Sequence, residues 1–373
     1  MRVLILNERD PGHPKAGGAE VHVAEIFGRL AARGFEVTQL TSSFPGGEDE
    51  EQLDGMRLRR VGALPLYYLR AGATCARETR EDRYDVVVEC LNKLPFLSPL
   101  YARAPVLALC HHLFGETAFR QVAWPIAATV FCVERLIPWV YRRGPFVAIS
   151  ESTRDDLVRR GIEAGRVEVH HPGIRRPDLA APGLMERARR ISYVGRLEPY
   201  KNVDVLIRAL ARVHRRLPDA ELVVIGEGAD RPRLESIAAE VGVAAHVRFV
   251  GFVSEAEKDR WLGSSRVCVC PSAKEGWGLT VIESNAVGTP NVASDAPGLR
   301  DSVRDGETGF LVPEGDVAAF ATRIEALLAD DALAARMSTA ALAWSRRFEW
   351  EQAAGLMAKA LETARAGAAG SGG

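Results

Sequence analysis

The chain has 373 residues, enough for about two domains that each bury a core of their own. Its 47% apolar and 26% charged residues are the balance of a globular protein, which excludes collagen-like, disordered and disulfide-scaffold architectures. Lys and Arg number 48 against 49 Asp and Glu, a net charge of −1, so neither a broad nucleic-acid footprint nor a nucleic-acid partner is expected.

The N-terminal MRVLILNERD has a short apolar run followed by charge and lacks the apolar core and small-residue cleavage site of a signal peptide. No stretch of about 18 uncharged apolar residues follows, so a cytoplasmic chain without a spanning helix is expected. The six cysteines show neither CxxC spacing nor a partner histidine cluster. Cys90, Cys110, Cys268 and Cys270 lie in apolar runs, where a thiol serves as a small hydrophobe.

Short runs rich in Val, Ile and Leu alternate with helical patterns along the chain. The first half predicts strands at 2–7, 36–41, 57–61, 85–90, 105–111, 146–150 and 166–171, several of them apolar enough to be buried on both faces of a parallel sheet. Between the first two strands Val21, Val23, Ile26, Phe27, Leu30 and Ala31 recur at helical spacing and Gly34 closes the pattern, which makes a βαβ unit. Residues 121–143 carry Trp124, Phe131, Trp139 and Tyr141 beside Arg135, Arg142 and Arg143. This suits a core helix pair, and it also suits peripheral contact with the inner membrane surface or a lipid-linked acceptor.

Residues 172–190 break the rhythm with clustered glycine and proline and read as a linker. Strands are then predicted at 191–195, 222–226, 247–251, 267–270, 291–293 and 309–312. A helix at 203–215 carries Val203, Leu206, Ile207, Leu210 and Val213 on one face. The fold class is therefore α/β, with two Rossmann-like domains (1–171 and 191–344) facing each other across a cleft, and AGAAGSGG (within 365–373) as a flexible tail.

Ligands in such sheets bind beyond the carboxyl ends of strands, where loops run into helix N-termini. Four loops there are chemically loaded. NERDPGHPKAGGAE contains Gly17 and Gly18, which let a backbone approach an anion, although it has neither dinucleotide-fingerprint nor P-loop spacing. YVGRLEPYKN offers Arg196 and Lys201, a planar fork and a point charge suited to phosphate, or else a solvated surface pair. PSAKEGWGLTVIESNA offers Glu275, Gly276, Trp277, Gly278, Leu279, Thr280 and Glu283. A glycine-bearing loop and a helix start here form an amide cradle, and two carboxylates eight positions apart can each grip vicinal hydroxyls. Val281, Ile282 and Ala286 leave Glu283 little polar company, so a ligand partner is expected for it. CHHLFGE places His111 and His112 at a strand end, where an imidazole can meet a substrate hydroxyl. Zinc is not expected, since no third ligand is near.

The second and third loops together resemble glycosyltransferase family 4, the retaining, nucleotide-sugar-dependent transferases of the GT-B fold. The matching stretches are GGAEVHVAEIFGRLAARGFEVT, VAISESTRDDL, YVGRLEPYKNVDVLIRAL, LVVIGEG, VRFVGF and PSAKEGWGLTVIESNAVGTPNVASDAPGLRDSVRDGETGFLV. The resemblance implies that Glu283 holds the nucleotide ribose, Glu275 the hydroxyls of the transferred sugar, and Arg196 and Lys201 the diphosphate, with Gly17 and Gly18 approaching it. It makes His111, rather than His112, the active-site histidine. It also implies an acceptor-side first domain, a donor-binding second domain and a closing helix at about 345–364 that returns onto the first domain, which Trp344, Phe348 and Trp350 suit.

On this reading fixed cations and helix-start amides stabilise the leaving diphosphate, which makes a metal unnecessary, and no DxD metal-gripping motif occurs. No carboxylate nucleophile is identifiable on the far face of the sugar, and the resemblance implies front-face attack. The partners expected are a UDP- or GDP-linked hexose-type donor and a hydroxyl acceptor that is a sugar, a lipid-linked group or a small molecule. A non-hydrolysing nucleotide-sugar epimerase shares the fold. A catalytically inactive sugar-nucleotide-binding protein would share it too, but would usually lose Arg196, Lys201 or Glu275, and all three are present.

Overall fold

Runs such as VLIL, VVVECL and VLALC are apolar on both faces apart from Glu89, so they form the interior strands of parallel sheets. The computed structural model describes residues 1–115, 119, 123–178 and 183–370, and the chain divides into two units, Met1–Gly173 with Glu349–Gly373, and Ile174–Phe348. Glu116, part of the segment 121–143, residues 179–182 of the expected linker and 371–373 of the expected tail lie outside the described residues.

The first unit contains β1 (Arg2–Leu6), α1 (Gly18–Ala32), β2 (Glu36–Thr41), β3 (Glu50–Leu53), β4 (Met56–Arg60), α2 (Tyr67–Arg80), β5 (Val86–Leu91), β6 (Val106–Cys110), α3 (Trp124–Glu134), α4 (Ile137–Val140), β7 (Phe146–Ala148), α5 (Glu151–Arg159) and β8 (Val167–Val169). Its strand order is β3-β4-β2-β1-β5-β6-β7-β8, parallel except where β3 pairs antiparallel with β4. β3 is EEQL and carries no apolar signal. It forms because Asp54 and Gly55, both at positive φ (48° and 80°), close a hairpin onto β4. The order reverses beside β1: β2 and β4 extend to one side, β5 to β8 to the other.

The second unit contains β9 (Arg190–Val194), α6 (Val203–Val213), β10 (Glu221–Ile225), α7 (Arg231–Glu240), β11 (Val247–Gly251), α8 (Glu255–Gly263), β12 (Val267–Cys270), α9 (Leu279–Ala286), β13 (Asn291–Ser294), α10 (Leu299–Ser302), β14 (Gly309–Val312), α11 (Val317–Ala329) and α12 (Asp331–Ser345). All six strands are parallel in the order β11-β10-β9-β12-β13-β14, so the chain order reverses between β9 and β12. The five apolar positions predicted for α6 are all buried in the core against α11 and the sheet.

Three expectations change. The linker is shorter than 172–190, because Leu184 joins the second unit's core. Arg187 is buried with hydrogen bonds to the carbonyls of Ser265 and Val287 and to Thr289 Oγ1. The closing helix is α13 (Trp350–Gly370), so most of the expected flexible tail is helical, as alanine-rich sequence favours. It packs on α1 in the first unit, while Trp344 and Phe348 belong to the second. Finally, α3 and α4 are not a core pair: Trp124 and Trp139 are 72% and 80% exposed, and only Ala127, Glu134 and Ile137 of the two helices are buried. No described helix is long and apolar enough to cross a membrane.

Within the first unit the chain leaves at Gly173 directly against its return at Glu349 and Trp350, and a Cβ on Gly173 would lie 2.2 Å from the Trp350 backbone nitrogen. Gly173→Ala should therefore cost about 2 kcal/mol or more in urea unfolding. Gly165→Ala, where a Cβ meets nothing within 4 Å, should stay within about 0.5 kcal/mol of wild type.

Candidate active site

In the second unit the reversal between β9 and β12 sets two loops side by side at the carboxyl ends of these strands. The loop after β9 turns through Gly195 at φ 157° and a 3-10 turn, Pro199–Lys201, and ends at Asn202, which holds a left-handed φ of 52°. The Asn202 side-chain amide donates to the Pro271 carbonyl at 3.2 Å, and the Ala273 amide donates to the Tyr200 carbonyl at 3.0 Å. These two bonds lock the loops together and bring Lys201 and Glu275 into a direct ion pair. Burial opposes the Lys201 charge, but Glu275 and Tyr200 outweigh it and hold the ammonium above the usual lysine range.

Arg196 is exposed, and its guanidinium donates to the Tyr200 hydroxyl at 3.1 Å. Two cations and a carboxylate thus sit on loops flanking the reversal point. Behind them Gly298 at φ 80° carries the Glu275 loop, since a Cβ there would come within 2.4 Å of the Glu275 carbonyl. Gly278, at φ 87°, forms the N-cap of α9, with Leu279 and Thr280 opening its first turn.

The Trp277 side chain is 2% exposed and packs edge-on against Phe348 at 5.2 Å. Glu283 does have polar company: Lys258 of α8 lies 2.9 Å from its carboxylate and 2.8 Å from Glu255. Burial works against the Lys258 charge, yet Glu283 and Glu255 keep its ammonium above the usual range. The lysine falls 25 positions before Glu283 on another helix, where no spacing rule could link the two.

In the first unit Gly17 and Gly18 lie at the start of α1, but the Gly17 amide is taken by its own helix. It donates to Glu20 Oε2 at 2.8 Å, which removes that N–H from the set expected to meet an anion. The reversal beside β1 gathers residues that the sequence did not single out. Asn92 donates to Asn7 at 3.1 Å, and Glu8 binds both Lys93 (2.7 Å) and the Tyr68 hydroxyl (2.6 Å). Burial opposes the Glu8 carboxylate, while Lys93, Tyr68 and Arg9 together hold it below the usual glutamate range.

His111 follows β6 and is buried, with its Nε2 3.0 Å from Nδ1 of His22 on α1. His112 is half-buried. Burial, with His112 adding to it, pushes His111 down to about 3, and burial together with His111 and His170 lowers His22 well below the usual range. Both rings are therefore neutral at physiological pH. Among the described residues no group of three His, Cys, Asp or Glu side chains is arranged to hold a metal ion.

Comparison with known proteins adds to this geometry. A family model described as Glycosyl transferases group 1 matches residues 175–344, and one described as Glycosyltransferase Family 4 matches residues 16–176. The chain is 38% identical to a phosphatidyl-myo-inositol mannosyltransferase of Mycobacterium leprae, over 93% of either chain. It is 31% identical to a D-inositol 3-phosphate glycosyltransferase of a Nocardioides species, over 92% of this chain and 84% of the relative. Among solved structures it is similar to a sucrose-phosphate synthase from Thermosynechococcus elongatus (TM-score 0.82, 24% identity, 97% of this chain and 98% of that one). It is also similar to HepE of Anabaena in complex with UDP and glucose (TM-score 0.77, 21% identity, 97% and 100%).

The buried His111 sets a pH dependence. Unfolded, it binds a proton below about 6.5, while folded it refuses one until about 3. Its contribution to stability is thus complete above pH 6.5 and is lost as pH falls toward 3. Urea unfolding from pH 7 to 4 should show stability falling with pH. His111→Asn should make that fall shallower by about 1 kcal/mol per pH unit.

Proposed function

The chain belongs to glycosyltransferase family 4, with the two Rossmann-like halves of the GT-B fold, and on that premise we propose that it moves a hexose-type sugar from a UDP- or GDP-linked donor to an acceptor hydroxyl, with retention and without a metal. The observation that carries this reading is the Lys201–Glu275 ion pair at the β9/β12 reversal, with Arg196 on the same loop as Lys201. A diphosphate arriving there competes with Glu275 for the lysine. Arg196 and Lys201 then face the phosphate oxygens, and the released Glu275 accepts hydrogen bonds from hydroxyls of the sugar. Glu283, held by Lys258, takes the ribose hydroxyls.

In the reacting complex the bond from C1 of the sugar to the phosphate oxygen breaks as the bond from C1 to the acceptor oxygen forms on the same face. The acceptor's proton passes to the departing phosphate oxygen. Fixed cations meet the charge that develops on the diphosphate without having to reorganise, which is where such sites gain most of their rate. His111, neutral and buried, meets a substrate hydroxyl.

The relatives named above act, by their names, on inositol 3-phosphate and on phosphatidyl-myo-inositol. A cyclitol carrying a phosphate is accordingly the acceptor class proposed here. The exposed Trp124 and Trp139 on α3 and α4, with Ile126 (57%) and Leu136 (42%), favour its lipid-linked form, reached by peripheral contact with an anionic membrane. Failure to float with liposomes containing anionic lipid would remove the lipid-linked form and leave the soluble one.

Turnover tests the whole reading. With its best donor, in chelator, Arg196→Ala or Lys201→Ala should lower kcat about 10²–10³-fold with the fold intact. Glu283→Ala should instead raise the donor KM about ten-fold, equivalent to about 1.4 kcal/mol of binding. NMR of the product should show the donor's own anomeric configuration. Full activity of Arg196→Ala would refute the diphosphate assignment. Epimerised donor with no conjugate formed would point to an epimerase, and nucleotide binding without turnover to an inactive binding protein.

A further inference from the structure

The imidazole pair in the first unit is not explained by packing alone. His22 and His111 are 1% and 2% exposed, their rings meet nearly perpendicular (88°) with centroids 5.0 Å apart, and one hydrogen bond joins them. His22 Nε2 and His111 Nδ1 are buried without a hydrogen-bond partner among the described residues. An unsatisfied buried polar atom costs about 1–3 kcal/mol, so one retained at a strand's carboxyl end calls for a partner.

One hydrogen bond between two neutral rings uses one proton, and its direction therefore fixes the tautomer of both. If His111 donates from Nε2, each ring carries its proton on Nε2, the favoured site in a neutral histidine, and Nδ1 of His111 is left as an acceptor. The opposite direction puts both protons on Nδ1 and turns His111 into a donor. We propose that His22 is a positioning residue for His111: it accepts the Nε2–H of His111 at its own Nδ1 and so keeps a lone pair on His111 Nδ1 for a substrate hydroxyl. This rests on the reading of His111 as a group that meets substrate.

His22 is well placed for the task. It sits in the second turn of α1, a helix buried along one face and packed on α13, and the ring of Trp350 at the start of α13 lies 5.9 Å from it. The imidazole cannot swing away without opening that packing. Burial keeps both rings uncharged, so the pair offers direction rather than charge.

The test uses the full chain labelled with ¹⁵N-histidine, in which protonated and bare ring nitrogens resonate far apart. Wild type should show His111 protonated at Nε2 and bare at Nδ1. His22→Leu should mix the two tautomers and lower kcat about 10- to 100-fold, the range typical when the partner that orients a working histidine is removed, with donor KM within about three-fold. His22→Asn, whose amide oxygen can accept from His111 at nearly the same place, should restore the tautomer and most of kcat. An unchanged tautomer in His22→Leu, a wild-type His111 protonated at Nδ1, or equal impairment of the Leu and Asn variants would overturn the proposal. The spectrum needs no substrate, so a wild-type protein that transfers no sugar would contradict the transferase reading and leave this result to be judged separately.

Discussion

A parallel sheet whose chain order reverses beside its first strand cannot close the space between the two loops at that point, because their helices leave toward opposite faces of the sheet. In the second unit this reversal falls between β9 and β12, and the proposed diphosphate clamp depends on it. The loop after β9 brings Arg196 and Lys201, the loop after β12 brings Glu275, and two hydrogen bonds, Asn202 to Pro271 and Ala273 to Tyr200, hold the loops in register. Residues 74 positions apart thereby form one ion pair. The glycines nearby serve the same arrangement: at Gly298 a side chain would push into the Glu275 loop, and at Gly278 it would meet Ser302 and Leu299 of α10.

The two units handle polar groups differently. The second unit keeps charge at its reversal point and balances it locally, Lys201 with Glu275 and Lys258 with Glu283. The first unit seals its charged cluster, with Glu8 bound to Lys93 and Tyr68, and next to β6 keeps two neutral imidazoles. Charge suits a leaving diphosphate and neutral hydrogen bonding suits hydroxyls. The proposed roles of the two units, donor binding in the second and acceptor binding in the first, rest on this difference in chemistry.

Much of the architecture was legible in the sequence, because strands buried on both faces announce themselves as unbroken Val, Ile and Leu runs and the helices between them keep their period. β3 escaped because EEQL carries no apolar signal, although Asp54-Gly55 marked the turn. The exposed face of α3 and α4 was left open between core and surface because aromatic residues at helical spacing look alike whether they meet a core or solvent. Of the residues proposed for the site, Arg196, Lys201, Glu275 and Glu283 were named from loops between strands and helices. Lys258, Glu8, Lys93 and His22 were not. Each acts on a partner 25 to 89 positions away, and only the folded topology makes them neighbours.

The central claim is that the β9/β12 reversal point is a diphosphate clamp, and melting temperature under nucleotide titration addresses it most directly, since a ligand that binds only the folded protein raises Tm by mass action. UDP, GDP and their monophosphates would be compared in chelator, on wild type and on a chain carrying both Arg196→Ala and Lys201→Ala. The account predicts that one diphosphate raises the wild-type Tm clearly more than its monophosphate does, and that the advantage disappears in the double variant. Equal shifts from the mono- and diphosphate, or an advantage that survives loss of both cations, would contradict it.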